Sequence, residues 1–302
     1  MRSQLKRSVE VLLVRGGAAW VARRFGAGRD LILAYHNILP DDVPIAGDRS
    51  LHLPRRQFAE QLDLLMKMYD IVPLEQLLDV QGQRRRPRIA ISFDDAYNGA
   101  VTIGVGELVS RELPATMFVA PAMLGGRSFW WDAFADPPPG GLPNELRRMA
   151  LRELRGQDGV VREWAARNGR SEQPLGSHYK SATLDELEAA AEYSHLSLAS
   201  HTWSHPNLAM LRIAELGDEL EKPLHWLRER FDSVIDWLSY PYGLASADVE
   251  SAALAAGYAA AVRIDGGRLA AQPANRFALP RINVPSQLTA NGLALRVVGL
   301  VS

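Results

Sequence analysis

Short apolar runs rich in β-favouring residues alternate with helical stretches along this chain, and that alternation constrains its fold more than any other feature. Residues 31–36, 89–93, 115–120, 196–200, 235–240 and 258–264 read as strands, with a minor one at Ile71-Val72. Strands of a parallel sheet covered on both faces carry continuous apolar runs, as Ile89, Ala90, Ile91 and Phe93 do. Between the strands, Phe58, Leu62, Leu65 and Met66 recur at helical spacing over 57–69. Pro73 opens a helix carrying Leu77 and Leu78. Further helices are expected over 99–113, 183–193, 213–231 and 246–256. Thr183 and Glu186 give a capping-box signal, and Ser246 is a cap. A last apolar piece, 277–284, completes a pattern without internal repeats. The fold expected is a parallel α/β barrel or a doubly wound sheet.

The stretch 125–180 departs from this rhythm. It holds Phe129-Trp130-Trp131-Asp132, a Pro/Gly breaker beginning at Pro137, and two polar helical stretches. It reads as an insertion within the domain, a lid or flank and not a separate domain. Trp130 and Trp131 could stack on sugar rings or form a small core of the insertion.

Polar residues with chemical capability follow the strands: His36, Asp94, Asp95, His201, His205 and Tyr242. In parallel α/β architectures the carboxyl ends of the strands form the site-bearing face. Asp94 and Asp95 leave a strand side by side, so their side chains diverge. One can bind a cation while the other keeps an oxygen for proton transfer. A solvated turn capped by Asp would use the same residues. His201 and His205 stand four apart, between a strand and Pro206, so one tight turn can aim both at one ion. With Asp95 they make a three-ligand set with open positions, the arrangement of hydrolytic zinc. Such an ion lowers the pKa of bound water and polarises an acyl oxygen, and Asp94 beside it could act as general base.

A net charge of −1 over 302 residues gives no electrostatic case for nucleic-acid binding. The absence of cysteine excludes disulfides and thiolate chemistry. Residues 1–30 are the one locally basic region, with Arg2, Lys6, Arg7, Arg15, Arg23 and Arg24 among Leu, Val and Trp. Its apolar run is broken by Arg15 and Gly16-Gly17, so it suits neither a secretory signal nor a membrane span. It would suit a helix lying on an anionic membrane surface, or one packed on the domain's flank. A cytoplasmic or membrane-surface location is therefore expected.

The motifs together resemble the polysaccharide deacetylases, the NodB-homology domains of carbohydrate esterase family 4, over residues 31–284. The family's T-F-D-D motif appears as Ser92-Phe93-Asp94-Asp95 and its H-[ST]-x-x-H motif as His201, Thr202 and His205. Its R-x-P-Y strand end appears as Ser239-Tyr240-Pro241-Tyr242. The resemblance implies an irregular (β/α)7-type barrel forming one domain over 31–302. It implies Asp94 as base, Asp95, His201 and His205 as metal ligands with zinc the favoured ion, and the Tyr242 backbone N–H as an oxyanion donor.

Two departures from the family pattern follow. Ser239 stands where the family has an arginine that orients the base, and no histidine follows His225 to supply the late L-x-x-H acid. The early His36 resembles the histidine of a circularly permuted branch that acts on biofilm polysaccharides, and is assigned as general acid; otherwise it is structural. Arg281 could replace the missing arginine beside Asp94, or form a surface pair. The function expected is metal-dependent removal of N-acetyl groups from an amino-sugar glycan or glycoconjugate. The alternatives are a deacylase or deformylase of a small or lipid-linked amide, and an inactive glycan-binding domain.

Overall fold

The computed structural model describes residues 30–79, 86–138, 140–270 and 272–300. The basic amphipathic segment read in residues 1–30 falls, but for Asp30, outside these. The strands are β1 (Leu31–Tyr35), β2 (Asn37–Leu39), β3 (His52–Pro54), β4 (Asp70–Ile71), β5 (Arg88–Phe93) and β6 (Ala115–Val119). They continue with β7 (Leu196–Ser200), β8 (Val234–Ser239), β9 (Ala260–Val262) and β10 (Ile282–Asn283). The helices are α1 (Arg55–Met68), α2 (Val105–Val109), α3 (Trp130–Ala133), α4 (Asn144–Arg152) and α5 (Asp158–Arg167). The remainder are α6 (Leu184–Ala191), α7 (Ile213–Arg230), α8 (Ala247–Ala255) and α9 (Ala290–Val297).

The main sheet runs β10-β1-β5-β6-β7-β8-β9, with β4 also on β5, and its strand pairs are parallel. The segment before β10 joins the two edges. The Leu279 N–H donates to Ala261 O at 3.0 Å and its carbonyl accepts from Arg263 N at 2.9 Å, on the β9 side. Three residues on, Ile282 and Asn283 pair with Leu33 and Ala34 of β1. The sheet therefore curls into the irregular barrel expected, and the apolar piece read over 277–284 is what draws its edges together.

The barrel interior is filled by one residue from each of β1, β5, β6, β7 and β8 and two from β9. Ile32, Ala90, Phe118, Ala199, Trp237, Ala260 and Val262 form a single buried cluster with Leu279. Small residues beside Phe118 and Trp237 leave the room those two rings occupy, the alternation that fills a narrow barrel. The intervening residues Leu33, Tyr35, Ile89, Ile91, Met117 and Leu198 face outward and pack with Phe58 and Leu62 of α1 and Leu187 of α6. Both faces of each strand are thus covered, which is why the strands read as continuous apolar runs.

Three local expectations change. Residues 37–54, for which the alternation predicts no element, contain β2 and β3, which pair with each other as a separate small parallel sheet. Each is three residues long, too short to show a period. The helix expected over 99–113 begins with a wide turn at Ala100–Gly104 before α2. There the chain passes so close to β2 that a Cβ on Gly99 would lie 2.1 Å from Ile38 O. The Pro73 helix is a 3-10 turn, Leu74–Leu78. Thr183 and Glu186 do form a capping box at α6, and Ser246 accepts from Val249 N at 3.3 Å to cap α8.

The 125–180 stretch shares the barrel's own apolar cluster. Phe129, Trp130, Trp131, Leu146, Ala150 and Val161 are buried together with the outward faces of β5 and β6. The two indoles are therefore neither an independent core nor solvent-exposed platforms: Trp130 is 1% and Trp131 4% exposed.

Candidate active site

β5 delivers Asp94 and Asp95 to the carboxyl end of the barrel. The Asp94 N–H donates to Tyr35 O at 3.0 Å, keeping it in register with β1. The next step is left-handed: Asp95 has φ 72° and Ala96 φ 49°. Thr202 (66°), His205 (61°) and Tyr242 (60°) share this conformation. Non-glycine residues in this region cost energy, and such strain gathers where a fold must aim side chains at one point.

β7 delivers the histidines. The His201 N–H donates to Val119 O at 2.8 Å, and the His205 N–H donates to Thr202 Oγ1 at 3.1 Å. Glu219 of α7 accepts from Trp203 N at 3.0 Å, Ser204 N at 2.8 Å and Ser204 Oγ at 2.6 Å, tying the loop down from outside. Glu219 carries no motif signal; only the three-dimensional position of α7 reveals it.

Asp95, His201 and His205 each offer one ligand atom, and these atoms lie within 4.8 Å of one another. Asp95 Oδ1 is 3.1 Å from His205 Nε2 and 3.4 Å from His201 Nε2, and the two Nε2 atoms are 3.1 Å apart. His201 Nδ1 donates to Ser239 O at 2.7 Å, so in the neutral imidazole Nε2 carries a lone pair. Asp95 Oδ1 is buried and, among the described residues, has no hydrogen-bond partner. Lone-pair atoms converging in a buried site repel unless a cation lies between them, so this donor set fits a divalent ion with nitrogen and oxygen preference. Burial opposes ionisation of Asp95, and the two imidazoles outweigh it, holding the carboxyl below the usual range.

Asp94 faces the other way. Arg281, just before β10, grips it with both arms, Nη1 to Oδ1 at 2.8 Å and Nη2 to Oδ2 at 2.7 Å. Arg281 also donates to Ser92 Oγ at 3.1 Å, Ser239 Oγ at 2.7 Å and Arg263 O at 3.2 Å, over the Phe118 ring. Its exposure is 0%, so it is not a surface pair. Burial would raise the Asp94 pKa; the Arg281 charge, then His201, overcome this, and the group is held below the ordinary carboxylate value. Ser239, where the family motif has arginine, adds a hydrogen bond from Oγ to Asp94 Oδ2 at 3.3 Å.

His36 leaves the end of β1 and lines the same cleft as Asp94, Asp95, His201, His205 and Tyr242. Among the described residues none hydrogen-bonds its ring, which leaves its nitrogens to the cleft. Burial lowers its pKa, against the opposing pull of Asp94 and Asp95. Tyr242 follows β8; its hydroxyl accepts from Trp130 Nε1 at 3.1 Å and lies 3.2 Å from Gly156 O. The cleft has a volume of about 300 Å³, walled by Trp130, Trp131, Leu151 and Leu244. All seven residues singled out from sequence meet here: six line the cleft, and Arg281 stands behind Asp94.

A family profile described as polysaccharide deacetylase matches residues 161–261, a span that includes His201, His205 and Tyr242. No curated protein matches the chain. Among solved structures, the Streptococcus pyogenes deacetylase PplD in complex with acetate aligns at 16% identity and TM-score 0.61, covering 89% of this chain and 98% of that one. IcaB from Ammonifex degensii aligns at 14% identity and TM-score 0.62, covering 90% and 97%. A polysaccharide deacetylase from Bacillus cereus aligns at 15% and 0.64, covering 89% and 69%. The chain has the polysaccharide deacetylase fold. The resemblance read from the motifs is borne out: a third of the chain matches the polysaccharide deacetylase profile, and the fold is that of the deacetylases. The structural likeness extends the deacetylase fold well beyond the profile, over the half that carries His36, Asp94 and Asp95.

Proposed function

We propose that this protein is a metal-dependent hydrolase that removes N-acetyl groups from amino sugars of a glycan or glycoconjugate. One observation carries the reading: Asp94 gripped by Arg281 stands beside Asp95, whose unpartnered Oδ1 converges with two imidazole Nε2 atoms in a buried cleft. Asp95, His201 and His205 would hold the ion, with zinc favoured by the ligand types. When bound, such an ion supplies Lewis-acid polarisation of an acyl oxygen and acidifies water.

The chain's own groups account for the proton movements. Asp94, kept ionised by Arg281, accepts a proton from the attacking water as its oxygen bonds to the amide carbon. Arg281 fixes both carboxylate oxygens, so the base has one orientation. The Tyr242 N–H, which follows β8, donates to the negative charge developing on the acyl oxygen. His36 delivers a proton to the nitrogen as the C–N bond breaks, giving acetate and a free amine. The indole walls exclude water from the remaining faces of the substrate.

A cleft of about 300 Å³ is at the small end for ligand pockets and suits one sugar unit at a time. The same size would also suit a single acylated amino sugar on a carrier, bearing formyl in place of acetyl. Purified protein should contain about one divalent ion per chain. It should release acetate from a panel of N-acetylated oligosaccharides; formate from N-formyl amino sugars without acetate release would favour the second reading. Protein free of bound metal that releases neither acid from the panel would defeat both.

Among the described residues no helix is long and apolar enough to cross a membrane. Contact with a membrane surface through residues 1–30 is part of this proposal and rests on their basic, apolar composition.

A further inference from the structure

The two histidines are held by different means. A metal-bound imidazole nearly always donates its second N–H to a carboxylate, carbonyl or water, and that bond fixes the ring. His201 obeys, through Nδ1 to Ser239 O. His205 does not: its Nδ1 is buried and has no hydrogen-bond partner among the described residues. Aromatic rings confine it instead. The Trp131 ring lies 4.9 Å from the His205 ring, centroid to centroid, and the Tyr242 ring 4.7 Å from it at 80°.

The Trp131 indole is in turn tied to a buried polar chain that no motif predicts. Trp131 Nε1 donates to Tyr97 OH at 2.7 Å, and Tyr97 OH donates to Asp132 Oδ2 at 2.6 Å. Asp132 Oδ1 accepts from Asp48 N at 2.7 Å and from His52 Nε2 at 2.9 Å. His52 donates from Nε2 because its Nδ1 accepts from Asn37 Nδ2 at 3.0 Å. Gly47 makes the first of these contacts possible: at φ +63° a Cβ there would sit 2.4 Å from Asp132 Oδ1. Asp132, His52 and Tyr97 have 0% exposure and none lines the cleft. A buried carboxylate with this many donors is costly to assemble and rigid once assembled.

We propose that Trp131 is the positioning residue for His205, and that the Asp132–Tyr97 chain holds its indole in place of the missing second hydrogen bond. The proposal rests on reading His205 as a metal ligand. Tyr97 and Asp132 act only through Trp131: they set which way one ring faces, and the ring sets the direction of the His205 Nε2 lone pair. Without the chain, the indole turns to seek another acceptor and His205 loses its confining wall.

The test is a double-mutant cycle on zinc affinity, read by chelator competition at fixed pH, with the melting temperature of each metal-free protein alongside. Tyr97→Phe removes the acceptor and should weaken zinc binding by roughly 10- to 100-fold, the usual effect of losing a group that orients a ligand. Trp131→Phe keeps a ring against His205 but needs no acceptor, so adding Tyr97→Phe to it should change zinc affinity no further. Trp131→Leu, which removes the ring, should lose more affinity than Trp131→Phe and serves if Tyr97→Phe fails to fold. An undiminished effect of Tyr97→Phe in the Trp131→Phe background overturns the proposal, as does equal zinc affinity in the Leu and Phe variants. Wild-type protein that binds no zinc removes the metal reading and this proposal together; wild type that binds zinc with an additive cycle removes this proposal alone.

Discussion

On the Asp94 side of the cleft both carboxylate oxygens are engaged, by a buried guanidinium and a serine hydroxyl. On the Asp95 side Oδ1 has no hydrogen bond among the described residues and faces two imidazole nitrogens. The two acids are consecutive, and the left-handed backbone at Asp95 separates them. The Asp94 side is assembled from strand ends, with Arg281 arriving on the segment that closes the barrel. The Asp95 side is assembled from the His201–His205 loop, braced by α7. The contrast shows how one strand end can serve two chemistries. A carboxylate saturated with donors has a fixed orientation and charge; one left with an open oxygen beside two imidazole Nε2 atoms is suited to a cation.

The largest test removes the Asp95 side. His201→Ala or Asp95→Asn should abolish both zinc binding and turnover while the barrel stays folded, since neither side chain belongs to the apolar clusters. Metal analysis, turnover assays and circular dichroism check this together. Full zinc occupancy in either variant would mean that the ion binds elsewhere.

Asp94→Asn addresses the other side. It should keep zinc and lose activity by roughly 10²–10⁴-fold, the contribution of general-base catalysis. Zinc content measured alongside kcat sharpens the contrast, because metal should follow Asp95 and rate should follow Asp94. A variant that lost its metal here, while Asp95→Asn kept it, would exchange the two roles.

His36→Ala should leave zinc affinity and melting temperature close to wild type and lower kcat by about 10²-fold, the scale of general-acid catalysis. Its ring makes no hydrogen bond among the described residues, so little stability depends on it. Wild-type kcat in this variant would leave His36 as a wall of the cleft.

Much of this arrangement is visible before folding, and the reasons differ by element. β5, β7 and β8 are covered on both faces, so their apolar runs show clearly, and reactive residues directly after them are conspicuous. The α6 capping box is legible because its two partners are three residues apart. Arg281 could only be guessed: it meets Asp94 across 187 positions, by closure of the barrel. The Asp132 chain is opaque for the same reason, since His52, Tyr97 and Asp132 come from three separate stretches that only packing brings together. Trp130 and Trp131 illustrate a different limit. Composition gives two large rings but not which way they face, and here they face the cleft from within the core.

Arg281→Met should have the smallest effect on rate, provided it is measured at alkaline pH, because Arg281 acts through Asp94 and touches no substrate. In the wild type the Arg281 charge outweighs burial and keeps the Asp94 pKa below the ordinary carboxylate value. Without it, burial is the dominant influence left, and the pKa rises. A base must be ionised, so the acid limb of kcat/KM should move to higher pH, with the deficit shrinking as pH rises through the new pKa. Stability should follow with the sign reversed between the two proteins. In the wild type a depressed pKa contributes stability that is present above the unfolded-state value and lost as pH falls through the folded one. In the variant a raised pKa favours the neutral acid, so its contribution is present at low pH and lost as pH rises through the folded value. Breaking a buried pair by removing one partner costs about 3–5 kcal/mol, so the melting temperature should fall most at alkaline pH, where the stranded carboxylate is charged. The two pH trends therefore oppose each other: the variant should gain relative activity and lose relative stability as pH rises. An acid limb unchanged in position would show that Arg281 braces the barrel seam without tuning Asp94.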